Sequence, residues 1–239
     1  MRLYLSRINK IFIMKKNLFL LLILSSFFSN SQNEIKRELG DFYKIQTYDL
    51  LKVNLIKSDK NHVIISGQHP NYVVVKNKNG ELKIRMGIEK RLSGSETKVD
   101  LYYKTIYRIE AKEGSVVFSK DTVSEPSLFL KSESGSTISL KIKTSDLSAR
   151  AITGGKISIT GTANHNEIDA YTGGQVNAQN LNTETTKVFI KAGGVVDVYA
   201  TSLLELDLKA GGEVNVHHKT NKIIEKITLG GIVNYLYNK

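Results

Sequence analysis

Hydrophobic and polar residues alternate along most of the chain, and from about Ile109 onward this alternation recurs around a glycine. The recurring phrase is a strand that ends in a small residue, a glycine pair, and a second strand, as in TGGKISI, AGGVVDV and AGGEVNV. The first glycines of the seven copies are Gly114, Gly135, Gly154, Gly173, Gly193, Gly211 and Gly230, with spacings of 21, 19, 19, 20, 18 and 19 residues. A fixed period near 20 residues is typical of stacked repeat architectures.

Apolar residues occupy the same odd offsets before the glycine in successive copies, which predicts a half-buried strand with one inward face. Five residues before the glycine stand Ile109, Leu130, Ala149, Ile168, Val188 and Leu206. Three before it stand Ala111, Ser132, Ala151, Ala170, Ile190, Leu208 and Ile227. By the same alternation we expect the residues directly before the glycine to face inward as well, namely Thr153, Thr172, Ala192, Ala210 and Leu229.

A second strand follows each glycine pair, and its inward and outward positions also align. One inward column holds Ile138, Ile157, Val176, Val196, Val214 and Val233, and the next holds Leu140, Ile159, Ala178, Val198 and Val216. Between them lies an outward polar row of Ser139, Ser158, Asn177, Asp197, Asn215 and Asn234. Each copy therefore predicts two strands that meet at a glycine corner.

The glycines at these corners are expected either to need positive φ or to lie where a neighbouring turn leaves no room for a Cβ. The corner residues are Gly154, Gly155, Gly173, Gly174, Gly193, Gly194, Gly211, Gly212, Gly230 and Gly231. Two strands in about 19 residues cannot form a stable isolated sheet, but stacked coils can, because each strand pairs with its equivalents above and below. The leucine–asparagine frame of leucine-rich repeats is absent. The sequence predicts an all-β fold, a parallel β-helix of about seven coils.

The first half of the chain after the leader is less regular but also rich in strands. Short runs with period-two alternation predict strands at Phe42–Thr47, Lys52–Lys57, Asn61–Ser66, Tyr72–Lys76, Glu81–Met86 and Lys98–Tyr107. Asn79-Gly80 between two such runs predicts a hairpin. The polar segment Gly87–Thr97 predicts an exposed loop, with Lys90-Arg91 as its solvated tip.

The N-terminus carries the pattern of a secretory signal peptide. Lys15-Lys16 precedes an apolar run from Leu18 to Phe28, and small residues follow at Ser29 and Ser31. We expect a signal peptide over residues 1–31, with Met14 as a plausible start, an irregular β region over 32–108, and the repeats over 109–239. Removing residues 1–31 takes away five of the 34 basic residues and none of the 23 acidic ones, so the net charge falls from +11 to +6. Export and this scattered charge argue against a nucleic-acid partner, and no transmembrane segment is expected after cleavage.

The repeats present no catalytic constellation. The polar row holds one carboxylate among amides, and Asp169 and Asp207 are predicted to lie two coils apart with Phe189 between them. His217 and His218 are adjacent, so on a strand they would point to opposite faces. No cofactor or metal site is predicted. The row is interpreted chiefly as a stabilising ladder, with glycan binding as an alternative if Tyr171, Phe189, Tyr199 and Tyr235 flank it.

The passages FYKI, LLKVNLIKSD and HVIISG, together with the corners TGGKISITG, YTGGQVNAQNL and KAGGVVDVYA, resemble the head GIN domain of putative autotransporter adhesins, a family common in Bacteroidetes. The resemblance covers about Asp41 to Tyr237 and implies adhesion. Two departures stand out: most corners are Thr-Gly-Gly or Ala-Gly-Gly, and NYLYNK lacks the family's Gly-x-Pro ending. The hypothesis is an exported, noncatalytic, adhesin-like β-helix in the periplasm, at the outer-membrane surface or outside the cell. Alternatives are a polysaccharide lyase-like enzyme or glycan-binding module, and a periplasmic partner in signalling or envelope assembly.

Overall fold

Strands make up nearly all of the computed structural model, which describes residues 34–238. The predicted signal peptide lies outside the described residues. The strands are β1 Ile35–Glu38, β2 Lys44–Thr47, β3 Lys52–Lys57, β4 His62–Gly67, β5 Val73–Lys78, β6 Glu81–Met86, β7 Thr97–Tyr103, β8 Arg108–Ala111, β9 Val116–Ser124, β10 Ser127–Glu133, β11 Thr137–Ile152, β12 Lys156–Tyr171, β13 Gly174–Lys191, β14 Gly194–Val198, β15 Ala200–Lys209, β16 Glu213–Val216, β17 Lys222–Thr228 and β18 Ile232–Tyr235. Three 3₁₀ segments complete the order: Pro70–Tyr72, Ile88–Glu96 and Leu236–Asn238.

The strands stack into two parallel ladders that meet at the corners, as the repeat predicts. The pre-corner ladder runs β6, β2, β8, β10, the second halves of β11, β12 and β13, then β15 and β17. The post-corner ladder runs β7, β3, β9, the first halves of β11, β12 and β13, then β14, β16 and β18. The β-helix prediction is confirmed.

The core fills the narrow space between the ladders with the inward columns. Register pairs Ile109 with Leu130, Leu130 with Ala149 and so on along the column, and these side chains are buried. Val117 extends the post-corner column on the N-terminal side of Ile138. Because every coil buries the same positions, a change in one column is felt by the coils on both sides of it.

The residues directly before the corner glycines do not face inward, contrary to the sequence prediction. Thr153 has a φ of 49° and Gly154 a φ of 70°, and the Ile152 carbonyl accepts a hydrogen bond from the Gly155 N–H at 3.0 Å. Positive φ at both central residues is the geometry of a type I′ turn. The turn breaks the strand alternation and directs the first side chain to solvent, so Thr153, Thr172, Ala192, Ala210 and Leu229 are exposed.

Glycine is required at the two positions of a corner for different physical reasons. At Gly154 and Gly173, φ is 70° and 75° while a Cβ added to either would have no atom within 4 Å, so the constraint is the backbone conformation. At Gly155 and Gly174, a Cβ would lie 2.1 Å from the carbonyl oxygen of Ser132 and of Ala151, in the preceding coil. There the constraint is the close approach of the neighbouring backbone.

The N-terminal region closes the solenoid with a different topology. The six strands expected there all occur with ends shifted by a few residues, except that β7 stops at Tyr103, four residues before the expected end. Asn79 and Gly80, with φ of 52° and 78°, join β5 and β6 as the predicted antiparallel hairpin. Strand β4 pairs antiparallel with β7, and β1 pairs antiparallel with β4. Strands β2 and β3 lie between later strands, so chain order and stacking order differ at this end.

An eighth corner lies between β2 and β3. Asp49 and Leu50 have φ of 58° and 63°, the same conformation as the glycine corners, without any glycine.

Among residues 34–238, no helix is long and apolar enough to span a membrane.

Candidate functional site

The polar row lies along the outer side of the post-corner ladder, one residue per coil. Its six members are consecutive in register: Ser139, Ser158, Asn177, Asp197, Asn215 and Asn234. Beyond Ser139 the row continues through Phe118 and Asn54 to Asp100. The row is therefore a continuous surface feature, and a role in binding remains a prediction.

Hydrogen bonds within the row use up part of its capacity for a ligand. The Asn234 amide donates to the Asn215 side-chain oxygen at 2.9 Å and to Glu213 at 2.7 Å. At the other end, the Asn54 amide donates to Asp100 at 2.8 Å. Amide-to-amide bonds along the stacking direction stabilise neighbouring coils in the way side-chain ladders do in other stacked strands.

The single carboxylate of the six-residue row is paired with a histidine. His217 Nε2 lies 2.8 Å from Asp197 Oδ1. His218 stacks on Tyr199 with ring centroids 4.3 Å apart. Strand β16 ends at Val216, so His217 and His218 lie beyond it and the alternation of side chains along a strand does not apply to them. Both histidines therefore contact the same side of the neighbouring coil, at Asp197 and Tyr199.

The aromatic flank expected for the polar row is mostly elsewhere. Tyr171 and Phe189 belong to the pre-corner ladder, where their rings meet edge to face at 5.7 Å. Tyr235 pairs with Val216 in an inward column. Only Tyr199 of the four borders the row. The repeat spacing predicts the position of a residue along its column correctly. It does not show whether an aromatic residue lies on the same ladder as the polar row.

The outer side of the pre-corner ladder carries an ion network centred on Glu110. The Glu110 carboxylate, whose side chain is 4% exposed, accepts hydrogen bonds from Gln46 at 2.8 Å and Arg108 at 2.5 Å. Lys44 and Lys112 lie 3.6 and 3.5 Å away. Burial by itself raises the pKa of Glu110, but these hydrogen bonds and positive charges outweigh it and lower the pKa to about 2.

Ion pairs continue along the same face towards the C-terminus. Arg150 binds Asp169 at 2.6 Å, and Lys209 lies 3.6 Å from Asp207. Phe189 separates the two aspartates in register, as expected from the sequence. Arg108 also lies over the Phe129 ring at 4.0 Å from its centroid. Among these carboxylates Glu110, whose pKa is lowered to about 2, is a poor proton acceptor near neutral pH.

The third histidine of the repeats contacts a hydroxyl group. His165 Nδ1 lies 2.8 Å from the Thr185 side-chain oxygen. Within residues 34–238, no three His, Asp or Glu side chains are placed to share a metal ion.

Sequence reasoning missed the contacts of the segment Ile88–Glu96. Arg91 is exposed, as expected, but its guanidinium also binds Asp49 at 2.9 Å and Glu113 at 3.0 Å. Asp49 also accepts a hydrogen bond from the Met86 N–H at 3.1 Å. No glycine marks the Asp49–Leu50 corner, so the glycine repeat gives no signal by which to find the partner of Arg91.

Comparison with known proteins supports the same architecture. The family model described as "Putative auto-transporter adhesin, head GIN domain" matches residues 41–219. A search of curated proteins finds no match.

Solved structures resemble the chain in fold. A putative adhesin from Bacteroides fragilis has a TM-score of 0.77 at 17% identity, covering 87% of this chain and 98% of that one. A putative adhesin from Parabacteroides merdae has a TM-score of 0.62 at 14% identity, with coverage of 87% and 97%. A putative lipid binding protein from Parabacteroides distasonis has a TM-score of 0.63 at 16% identity, with coverage of 86% and 98%.

Proposed function

Because the chain belongs to the family of putative auto-transporter adhesin head GIN domains, we propose that it is an exported, noncatalytic β-solenoid that acts by binding in the cell envelope or at the cell surface. The observation that carries this proposal is the pair of outer faces. Each presents rows of side chains that consecutive coils hold at strand spacing, which gives a preorganised surface with little ordering cost on binding.

The pairing of carboxylates supports binding over catalysis. Asp169, Glu110 and Asp207 each have a cationic neighbour, and Asp197 has His217. A lyase or hydrolase needs an acid or base that can change its protonation state near neutral pH. The lowered pKa of Glu110, about 2, keeps that carboxylate charged near neutral pH.

The N-terminal pattern supports export. Residues 1–31 carry a basic start, an apolar run and small residues before the expected cleavage site after Ser31. The similar structures include two putative adhesins and one putative lipid binding protein, which are binding functions in all three cases.

The test combines location and activity. The full chain with a C-terminal tag is expressed in a Bacteroidetes host, and its processing and compartment are followed by mass spectrometry of the N-terminus and cell fractionation. We expect a mature chain that begins at Gln32 in an envelope or extracellular fraction. The purified chain is also incubated with acidic polysaccharides, and their length is expected to stay constant. An unprocessed cytoplasmic chain, or depolymerised polysaccharide, would contradict the proposal.

A further inference from the structure

Exposed large apolar side chains are confined to the two ends of the solenoid. Among residues 34–238 the N-terminal set is Tyr43, Tyr72, Val74, Ile88, Leu92 and Tyr107, and the C-terminal set is Ile224, Ile227, Leu229 and Ile232. The described coils between them expose none, so the sequence can keep large apolar groups off this surface. The N-terminal set therefore calls for a physical explanation.

Two members of the N-terminal set protrude from a well-anchored segment, here called the tip (Ile88–Glu96). Ile88 is 90% exposed and Leu92 is 85% exposed. Arg91 fastens the tip to Asp49 and Glu113. Gly94 lies so close to the fold that a Cβ there would be 1.9 Å from the Asp49 carbonyl oxygen. The backbone is thus held against the solenoid while the two aliphatic side chains point away from it.

Positive charge lies beside the tip, on the outer face of the β5–β6 pair, here called the basic hairpin. Lys76 stands directly opposite Lys83, and Arg85 stands opposite Val74 with its guanidinium 3.6 Å from the Asp49 carboxylate. Like charges in directly opposed positions destabilise a sheet. Within residues 34–238, Lys76, Lys78 and Lys83 have no carboxylate within 4.0 Å, although Glu81 stands opposite Lys78 in register and is bound by Lys44 at 3.1 Å.

The tip and the basic hairpin form one continuous surface. Ile88 shares a shallow depression of about 270 Å³ with Tyr72 and Val74. Val74 in turn borders a cleft of about 610 Å³ that contains Tyr43, the three lysines, Arg85 and Glu81. The surface therefore runs from aliphatic side chains at the tip, beside Glu89, through aromatic residues to a predominantly basic hairpin.

We propose that the tip and the basic hairpin together dock on an anionic lipid surface, with Ile88 and Leu92 entering the headgroup–acyl boundary and the lysines contacting phosphate groups. Stable attachment to a bilayer generally takes two signals, such as an apolar insertion and a basic patch, because either alone gives weak and reversible binding. Aromatic residues such as Tyr43 and Tyr72 suit the region between the two.

Charge complementarity selects this occupant over an added strand or an apolar partner. A partner that covered only Ile88 and Leu92 would leave the Lys76–Lys83 repulsion in place, and a polyanion in the cleft would leave the two aliphatic side chains in water. A surface that offers phosphates above an apolar layer satisfies both. This inference rests on the proposed export of the chain, since it places the protein beside an envelope membrane.

The test is vesicle flotation with a purified chain that starts at Gln32. Starting there keeps every described residue and removes the apolar run Leu18–Phe28, which could enter a bilayer by itself. Vesicles contain equal parts of phosphatidylglycerol and phosphatidylethanolamine, or phosphatidylcholine alone. We expect flotation with the anionic vesicles only, weakened by raised salt.

Three double variants locate the surface. Ile88→Ser with Leu92→Ser, and Lys76→Glu with Lys83→Glu, should each weaken vesicle binding by about tenfold or more. Leu229→Ser with Ile232→Ser removes a matched apolar pair at the opposite end and should leave binding unchanged. Circular dichroism checks that all three remain folded, as expected for exposed positions.

Three results would overturn the inference. The first is a parent chain that floats with neither vesicle, and the second is a Leu229 and Ile232 variant that loses as much affinity as the tip variant. The third is a Lys76→Glu, Lys83→Glu variant that floats with anionic vesicles as the parent does but loses binding to an acidic polysaccharide such as polygalacturonate, which would make the hairpin a glycan site. None of these bears on export or noncatalytic binding, which the cell fractionation and polysaccharide-length assays test separately.

Discussion

The two ends of the solenoid expose apolar side chains for different physical reasons. At the N-terminal end the inward residues Val63 and Ile65 are fully buried, and Arg37 of β1 donates a hydrogen bond to the Val73 carbonyl of β5 at 3.3 Å. The apolar residues exposed there lie on the tip, outside the core. At the C-terminal end the inward residue Ile227 is itself 44% exposed, because no further coil follows it in the described structure.

Polar groups lie at the C-terminal end of the described solenoid, where no further coil covers the inward columns. Glu225 takes the inward column position that Leu206 fills one coil earlier, and the Tyr235 hydroxyl donates a hydrogen bond to its carboxylate. An inward-pointing charge and edge lysines are devices by which natural sheets discourage pairing with another chain. The comparison teaches that exposed apolar area alone does not identify a binding surface. Ile227 is exposed as part of the core, whereas Leu229, like Leu92, lies outside it.

The largest expected effect tests whether the core is closed at one end and open at the other. Ile65→Ala should lower the free energy of unfolding by about 2–5 kcal/mol, because it leaves a cavity among fully buried side chains. The matched change Ile227→Ala should cost less than about 1 kcal/mol, because much of that side chain already contacts water. Urea titration of both variants measures the difference. Equal losses would mean that the ends are equally closed.

A second difference between the ends is electrostatic. Glu110, in the N-terminal part, has a folded pKa of about 2 against an ordinary value of 4.5. A lowered folded pKa contributes stability that is fully present above the unfolded pKa and disappears as the pH falls towards the folded one. We therefore expect about 3 kcal/mol to be lost between pH 4.5 and 2.

Glu110→Gln should flatten that part of the stability–pH curve. Asp207→Asn serves as the control near the other end, where the side chain is 33% exposed and Lys209 lies 3.6 Å away. Such a pair should contribute less than about 1 kcal/mol. Denaturant midpoints measured across this pH range would contradict the account if the glutamine variant kept the full pH dependence.

The smallest expected effect concerns the corners at the two ends. Gly230, with a φ of 89° and no atom near its Cβ position, should tolerate Leu at a cost of about 1–2 kcal/mol from backbone strain alone. Leu50 already occupies the left-handed region at a φ of 63° in the N-terminal corner. Leu50→Gly should change stability by less than about 1 kcal/mol, since relieved strain offsets lost packing. Thermal melting compares the stability of the Gly230→Leu and Leu50→Gly variants. A Gly230→Leu variant that melts like the parent would show that the corner conformation is not strained.

Much of the architecture could be predicted because the same sequence pattern occurs in every coil of the repeat. The seven glycine corners define the period, and apolar columns such as Ile138 and Ile157 define the inward face. The corner residue Thr153 was predicted wrongly because strand alternation was extended through a type I′ turn that interrupts it. The turn has its own geometry, which period-two counting cannot represent.

The N-terminal end resisted prediction because its features occur once. The Asp49–Leu50 corner lacks the glycine that marks the others, and the contact of Arg91 with Asp49 joins residues 42 positions apart. The opposition of Lys76 and Lys83 could be derived from the Asn79-Gly80 hairpin, but their lack of acidic neighbours depends on the stacking order of β6 and β2. Stacking order differs from chain order only at this end.

The most direct test of the central contrast uses the absence of cysteine from the chain. Leu92 at the tip and Leu229 at the last corner are each 85% exposed, so Leu92→Cys and Leu229→Cys place matched labels at the two ends. Each variant is labelled with a polarity-sensitive fluorophore and mixed with the phosphatidylglycerol vesicles. The account predicts a blue shift and increased intensity for the label at position 92 and no change at position 229. Equal responses at both positions, or a response at 229 alone, would contradict it.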